Sequence, residues 1–195
     1  MRNVALFFGS FNPIHNGHLI LANYIAEYAG VDEVRFVVSP QNPFKKDLNL
    51  MDDELRYQMV QKAREGYPKF SVTNVEFSLP KPSYTYDTLS YMFEREKDVR
   101  FLLVMGGDNL PKFHMWKNAE KIVEMCEILV YPRPDSPNEV PEQWKGRVRM
   151  LENAPLLDIS STVIRNAVKE KKDVRYFTTK DVWEMMKEAN FQTVD

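Results

Sequence analysis

Scarcity in this sequence excludes several classes of protein. There is one cysteine, Cys126, so no internal disulfide can form and nothing points to an oxidising compartment. Its apolar flanks predict a buried, inert thiol. No apolar run approaches the ~20 residues that span a bilayer, and the N-terminal run, Val4 to Phe8, is too short for a signal peptide. Neither sign of charge dominates: 26 Lys and Arg stand against 28 Asp and Glu, a net charge of −2. That balance gives no electrostatic case for nucleic acid. The G-x-G-x-x-G fingerprint of dinucleotide binding is absent, as are internal repeats and low-complexity segments. These absences leave a cytoplasmic protein with a small-molecule partner, no membrane and no nucleic acid; oligomeric state is not legible.

What is present is ordinary in amount and informative in order. With 195 residues, 44% hydrophobic and 28% charged, the chain is expected to form one domain over residues 1–195. Strands are predicted at Val4–Phe8, Glu33–Ser39, Phe70–Phe77, Arg100–Met105, Ile128–Tyr131 and Val148–Leu151. Helices are predicted at Leu19–Ala29, from Asp52 or Asp53 to Glu65, from Tyr84 to about Lys97, at Asn118–Met125, from Ser160 to about Lys171, and to Asn190 at the end. Asn16 is the expected N-cap of the first helix and Gly30 its stop; Thr178 with Asp181 suggests a capping box for the last. Proline-rich Pro40–Lys46 and Pro132–Pro141 read as loops. Strands alternating with helices predict an α/β fold, a single Rossmann-like three-layer domain with a parallel sheet and right-handed crossovers. In such sheets ligands bind beyond the carboxyl ends of the strands. Loops Gly9–His18, Pro40–Lys46 and Gly106–Asp108 should therefore share one cleft.

The densest stretch is Gly9-Ser10-Phe11-Asn12-Pro13-Ile14-His15-Asn16-Gly17-His18. It joins a strand to a helix, whose N-terminus offers unpaired N–H groups and partial positive charge. Gly9 and Gly17 let backbone approach a ligand. His15 and His18, three apart, can reach one anion; as a metal pair they lack a third ligand nearby. The second stretch is Asp158-Ile159-Ser160-Ser161-Thr162-Val163-Ile164-Arg165, with hydroxyls at a helix start and an arginine one turn on.

The first stretch resembles the G-[ST]-F-[DN]-P-x-H-x-G-H signature of the nucleotidyltransferase superfamily, and the second its I-S-[SA]-T-x-[IV]-R motif. Within that superfamily the chain is most similar, over essentially its whole length, to bacterial nicotinate-nucleotide adenylyltransferases. Pro43–Lys46, Pro82-Ser83-Tyr84-Thr85-Tyr86-Asp87-Thr88-Leu89, Gly106–Leu110 with Trp116 downstream, and Tyr131–Pro134 carry that likeness. Phe8 and Asn12 depart from the family's commoner glycine and aspartate.

The resemblance implies transfer of AMP from ATP to nicotinate mononucleotide, with deamido-NAD and pyrophosphate as products. It implies phosphate contacts from the catalytic His15 and His18, and ATP contacts from Gly9, Ser10, Phe11, Gly106, Asp108 (a ribose hydroxyl), Ser160, Thr162 and Arg165. It assigns the acceptor to Lys46, Tyr84, Thr85, Trp116 (stacked on the pyridine ring) and Arg133. No side chain is expected to ligate a metal; Mg²⁺ is expected on the ATP phosphates. The N–H groups of Tyr84 and Thr85 are expected to favour a carboxylate over an amide. The rivals are an enzyme for nicotinamide mononucleotide or both acceptors, and a non-catalytic nucleotide sensor. His114 has no assigned role.

Overall fold

The computed structural model describes residues 1–40, 50–134, 136 and 139–189. Six strands form one sheet: β1 (Arg2–Gly9), β2 (Glu33–Val38), β3 (Phe70–Thr73), β4 (Val99–Gly106), β5 (Glu127–Tyr131) and β6 (Val148–Met150). Their order is β3-β2-β1-β4-β5-β6, and every neighbouring pair is parallel. The central strands have no solvated face: Val4, Ala5 and Leu6 of β1 are wholly buried, as is Phe101 of β4. That double burial produces their continuous apolar runs.

Helices cover both faces. Ala5, Phe7 and Phe36 point toward α1 (Asn16–Tyr28), α2 (Asp53–Ala63), α5 (Ser161–Lys169) and α6 (Lys180–Glu188). Val4, Leu6 and Leu103 point the other way, toward α3 (Thr85–Arg95) and α4 (Ala119–Met125). The alternation along β1 thus feeds two separate apolar layers, giving the three-layer α/β arrangement expected. Strand order reverses between β1 and β4, so the loops leaving them part to opposite faces and open a crevice at the carboxyl edge. Among the described residues no helix is long and apolar enough to cross a membrane. Cys126 is buried, and burial pushes its thiol pKa up to about 12.

Three local expectations are corrected. The N-cap of α1 is His15, not Asn16; the Asn16 amide donates instead to the carbonyls of Tyr176 and Thr178, at 2.8 and 3.3 Å. The cap of α6 is Thr179, which accepts from Val182 N–H, while buried Thr178 donates to the Thr179 carbonyl. The third strand ends at Thr73, whose hydroxyl accepts the Val75 N–H at 3.2 Å and turns the chain into a 3₁₀ segment, Val75–Ser78. Residues 41–49, with Lys46, and 190–195 lie outside the described residues.

Candidate active site

The stretch after β1 is built around two histidines that cap each other. His15 Nδ1 accepts the His18 backbone N–H at 3.4 Å, and His18 Nδ1 accepts the His15 N–H at 3.3 Å. The rings stack at 3.7 Å between centroids, 24° apart. Because its Nδ1 is an acceptor, a neutral His15 carries its ring proton on Nε2, which makes that nitrogen a donor. Burial, with the positive charge of Arg133, lowers the His15 pKa from 6.5 to about 4. His15 is therefore a neutral donor at pH 7. Phe11 holds the pair from below: its ring is buried and meets His18 edge-on at 5.1 Å. Its φ of 45° is rare for a non-glycine. Gly9 makes room for that ring, since a Cβ there would lie 2.8 Å from it. A Cβ on Gly17 would meet Ile159 at 2.4 Å and the His15 ring at 3.0 Å.

The second motif is pinned to the first. The Ser161 hydroxyl donates to the Pro13 carbonyl at 2.8 Å, across 148 residues of sequence. Arg165 donates to the Asn12 carbonyl at 2.9 Å and to Thr162 Oγ1 at 3.1 Å. Its half-buried guanidinium makes no ion pair among the described residues, and burial lowers its pKa. Such a cation is suited to an incoming anion. Ser160 caps α5 by accepting the Val163 N–H. Asn12, where a carboxylate is commoner, is buried and accepts the Met51 N–H at 3.0 Å. Arg56, fully buried on α2, donates to the carbonyls of Ser10, Ser39 and Met51 and pairs with Asp53, tying the ends of β1 and β2 together.

The crevice has two lobes, with Phe7 and Tyr131 lining both. The smaller, about 370 Å³, is lined by His15, His18, Arg133 and Ile159. The larger, about 930 Å³, is lined by Gly9 and Ser10 from β1, Ser39 beyond β2, Gly106 and Asn109 beyond β4, Tyr84, Thr85 and Tyr86 at the start of α3, and Trp116. Among the described residues no side chain caps α3, so the N–H groups of Thr85 and Tyr86 at its start are placed for a ligand. Lys117 closes this lobe by pairing with Asp87 at 2.7 Å and lying 4.9 Å from the centre of the Tyr84 ring. Arg133 sits on the histidine side, 3.8 Å from the Asp108 carboxylate, rather than beside Trp116. His114 is exposed and lines neither lobe.

A family model described as cytidylyltransferase-like matches residues 6–167. A protein of Cytophaga hutchinsonii named a probable nicotinate-nucleotide adenylyltransferase is 51% identical over 183 residues, 94% of each chain. The chain belongs to the nicotinate-nucleotide adenylyltransferase family. A second member, from Christiangramia forsetii, is 47% identical and spans 97% of this chain and 98% of its own. The solved nicotinic acid mononucleotide adenylyltransferase of Plasmodium falciparum, complexed with NaAD, superposes with a TM-score of 0.83 over 100% of this chain and 99% of its own. At 18% identity that likeness concerns the fold.

Sequence reasoning within this adenylyltransferase family missed several residues. Tyr131 reads as a strand end and as part of the Tyr131–Pro134 stretch, with no sign that its side chain lines both lobes. Ser161 reads as a helix-start hydroxyl, with no sign of its reach to Pro13. Glu76 lines the larger lobe, yet in sequence it is only one polar residue within the predicted strand Phe70–Phe77.

Proposed function

We propose that this chain transfers the adenylyl group of ATP to nicotinate mononucleotide, forming deamido-NAD and pyrophosphate. An oxygen of the acceptor phosphate bonds to the α-phosphorus. The bond from that phosphorus to the bridging oxygen breaks, and pyrophosphate leaves with the electron pair. The acceptor phosphate is ionised at neutral pH, so no side-chain base is required; catalysis consists of alignment and charge stabilisation.

One observation carries this reading: Arg165, with no ion-pair partner among the described residues, is tied to the same loop that holds His15 and His18 as a mutually capped pair. His15 and His18 are assigned to the α-phosphate, and Ser160, Thr162 and Arg165 to the departing pyrophosphate. Gly9, Ser10 and Phe11 are assigned to the triphosphate through their backbone, and Asp108, with Gly106 beside it, to the ribose. The first turn of α3 would receive the ring carboxylate and Trp116 the ring face. Arg133 is assigned to the acceptor phosphate, which must approach the α-phosphorus on the histidine side; its place in the smaller lobe supports this.

Mg²⁺ is assigned as cofactor. It would be held by the ATP phosphates and water rather than by side chains of this chain. When bound it would neutralise phosphate charge. We also infer a single catalytic domain acting in the cytoplasm, where ATP is used.

A second reading, use of nicotinamide mononucleotide or of both acceptors, rests on the Glu76 carboxyl in the larger lobe, whose oxygen can accept from an amide. The test is pyrophosphate release with ATP and Mg²⁺ over nicotinate mononucleotide, nicotinamide mononucleotide, pantetheine phosphate and glycerol phosphate. Turnover of the first is expected; ATP binding without turnover of any acceptor would overturn the reading.

A further inference from the structure

Glu76 is the buried group the mechanism leaves unused. It is 1% exposed and lines the larger lobe. Its Oε1 accepts from the Thr88 hydroxyl at 2.7 Å. Among the described residues its buried Oε2 has no hydrogen-bond partner, and neither has the buried Ser83 hydroxyl nearby. The placement is specific. Tyr84 caps α3, so Ser83 is the residue before the cap and Thr88 the fourth of the helix. In many helices an apolar pair at those two positions clasps the start. Here the pair is polar, and the carboxyl of Glu76 stands between its members. Among the described residues no cation pairs with it: Lys117, the other charged residue lining the lobe, is paired with Asp87.

An anion at that spot would cancel the positive end of α3 and repel a negatively charged ring substituent. A neutral acid would do neither, and would have a proton to give to Ser83. Burial holds the Glu76 carboxyl above the usual carboxylate range, opposed by the hydrogen bond from the Thr88 hydroxyl. We propose that Glu76, as a neutral acid, is a positioning residue that sets acceptor choice by holding the first turn of α3 toward an anionic ring. The proposal rests on the reading of the larger lobe as the acceptor pocket.

The test compares wild type, Glu76→Gln, Glu76→Ala and Ser83→Ala with ATP, Mg²⁺ and each pyridine mononucleotide. Gln is the neutral isostere, so kcat/KM for the acid and the acid-to-amide ratio should stay within about threefold of wild type. Glu76→Ala should raise the acceptor KM by about tenfold or more, leave the ATP KM unchanged, and lower the acid-to-amide ratio. Ser83→Ala should move the same quantities less, and it carries the test with Gln should the Ala variant not fold. Difference infrared spectra of wild type against Glu76→Gln at neutral pH should show the C=O stretch of a protonated acid. Loss of activity in Gln equal to that in Ala, an unchanged acceptor KM in folded Ala and Ser83→Ala variants, or a carboxylate band in place of the acid band would overturn the proposal. Failure of wild type to use either acceptor would instead overturn the reading of the pocket.

Discussion

Arg165 donates to the carbonyl oxygen of Asn12 at 2.9 Å, across 153 residues of sequence. The bond holds the start of α5 against the loop after β1. It uses only part of the guanidinium, whose remaining donors and charge are free for phosphate. Arg165→Met should raise the ATP KM at least about tenfold and lower kcat by about 10²–10³. Arg165→Lys should fall between, because an ammonium cannot span two acceptors as a planar fork does. Steady-state kinetics with ATP varied would decide it; an unchanged ATP KM in the Met variant would contradict the role.

His18 is placed as a transition-state donor. His18→Ala should lower kcat at saturating substrates by about 10²–10³, with a much smaller change in ATP affinity. It also removes the acceptor for the His15 N–H, so thermal unfolding must accompany the kinetics. A drop in ATP binding with kcat retained would show the assignment to be wrong.

His15 makes stability pH-dependent. Its pKa is 6.5 when unconstrained and about 4 in the fold, so between those values the unfolded chain binds more protons. Stability is complete above pH 6.5 and falls as pH drops toward about 4, by about 3 kcal/mol. His15→Asn keeps a capping side chain but cannot titrate. Denaturant unfolding of the ligand-free protein should therefore show a steeper acid loss in wild type than in the Asn variant. Equal slopes would contradict the burial of a neutral ring.

Gly17 has no room for a methyl group. Gly17→Ala should drive Ile159 or the His15 ring aside, costing about 1–3 kcal/mol of stability together with activity. Ile159→Ala in the same chain should recover part of both, a coupling that a double-mutant cycle measures.

The parts of this design legible in the sequence are those set by local chemistry. β1 and β4 are continuous apolar runs because both faces are covered, and the two phosphate motifs are contiguous strings. What escapes depends on partners far along the chain. Asn16 is the better capping residue by propensity, but the carbonyls of Tyr176 and Thr178 take its amide and leave His15 to cap. Phe70 and Val72, then Val75 and Phe77, are spaced like strand residues, yet the Thr73 hydroxyl turns the backbone between the two pairs and Glu76 is buried. Arg56 reads as a solvated helix charge and is instead wholly enclosed by three carbonyls and Asp53. A burial that depends on distant backbone leaves no periodic trace.

In the proposed function the α3 end of the crevice selects an acid over an amide. Trp116 offers either ring the same face, so selectivity must come from unmatched polar groups, each worth roughly 1–3 kcal/mol. The most direct measurement is the ratio of kcat/KM for nicotinate and nicotinamide mononucleotides at saturating ATP and Mg²⁺, in wild type and in Trp116→Ala. A preference for the acid of about 10²–10⁴, kept when both values fall together in the Trp116 variant, is the predicted result. Comparable kcat/KM for the two acceptors in wild type would contradict it.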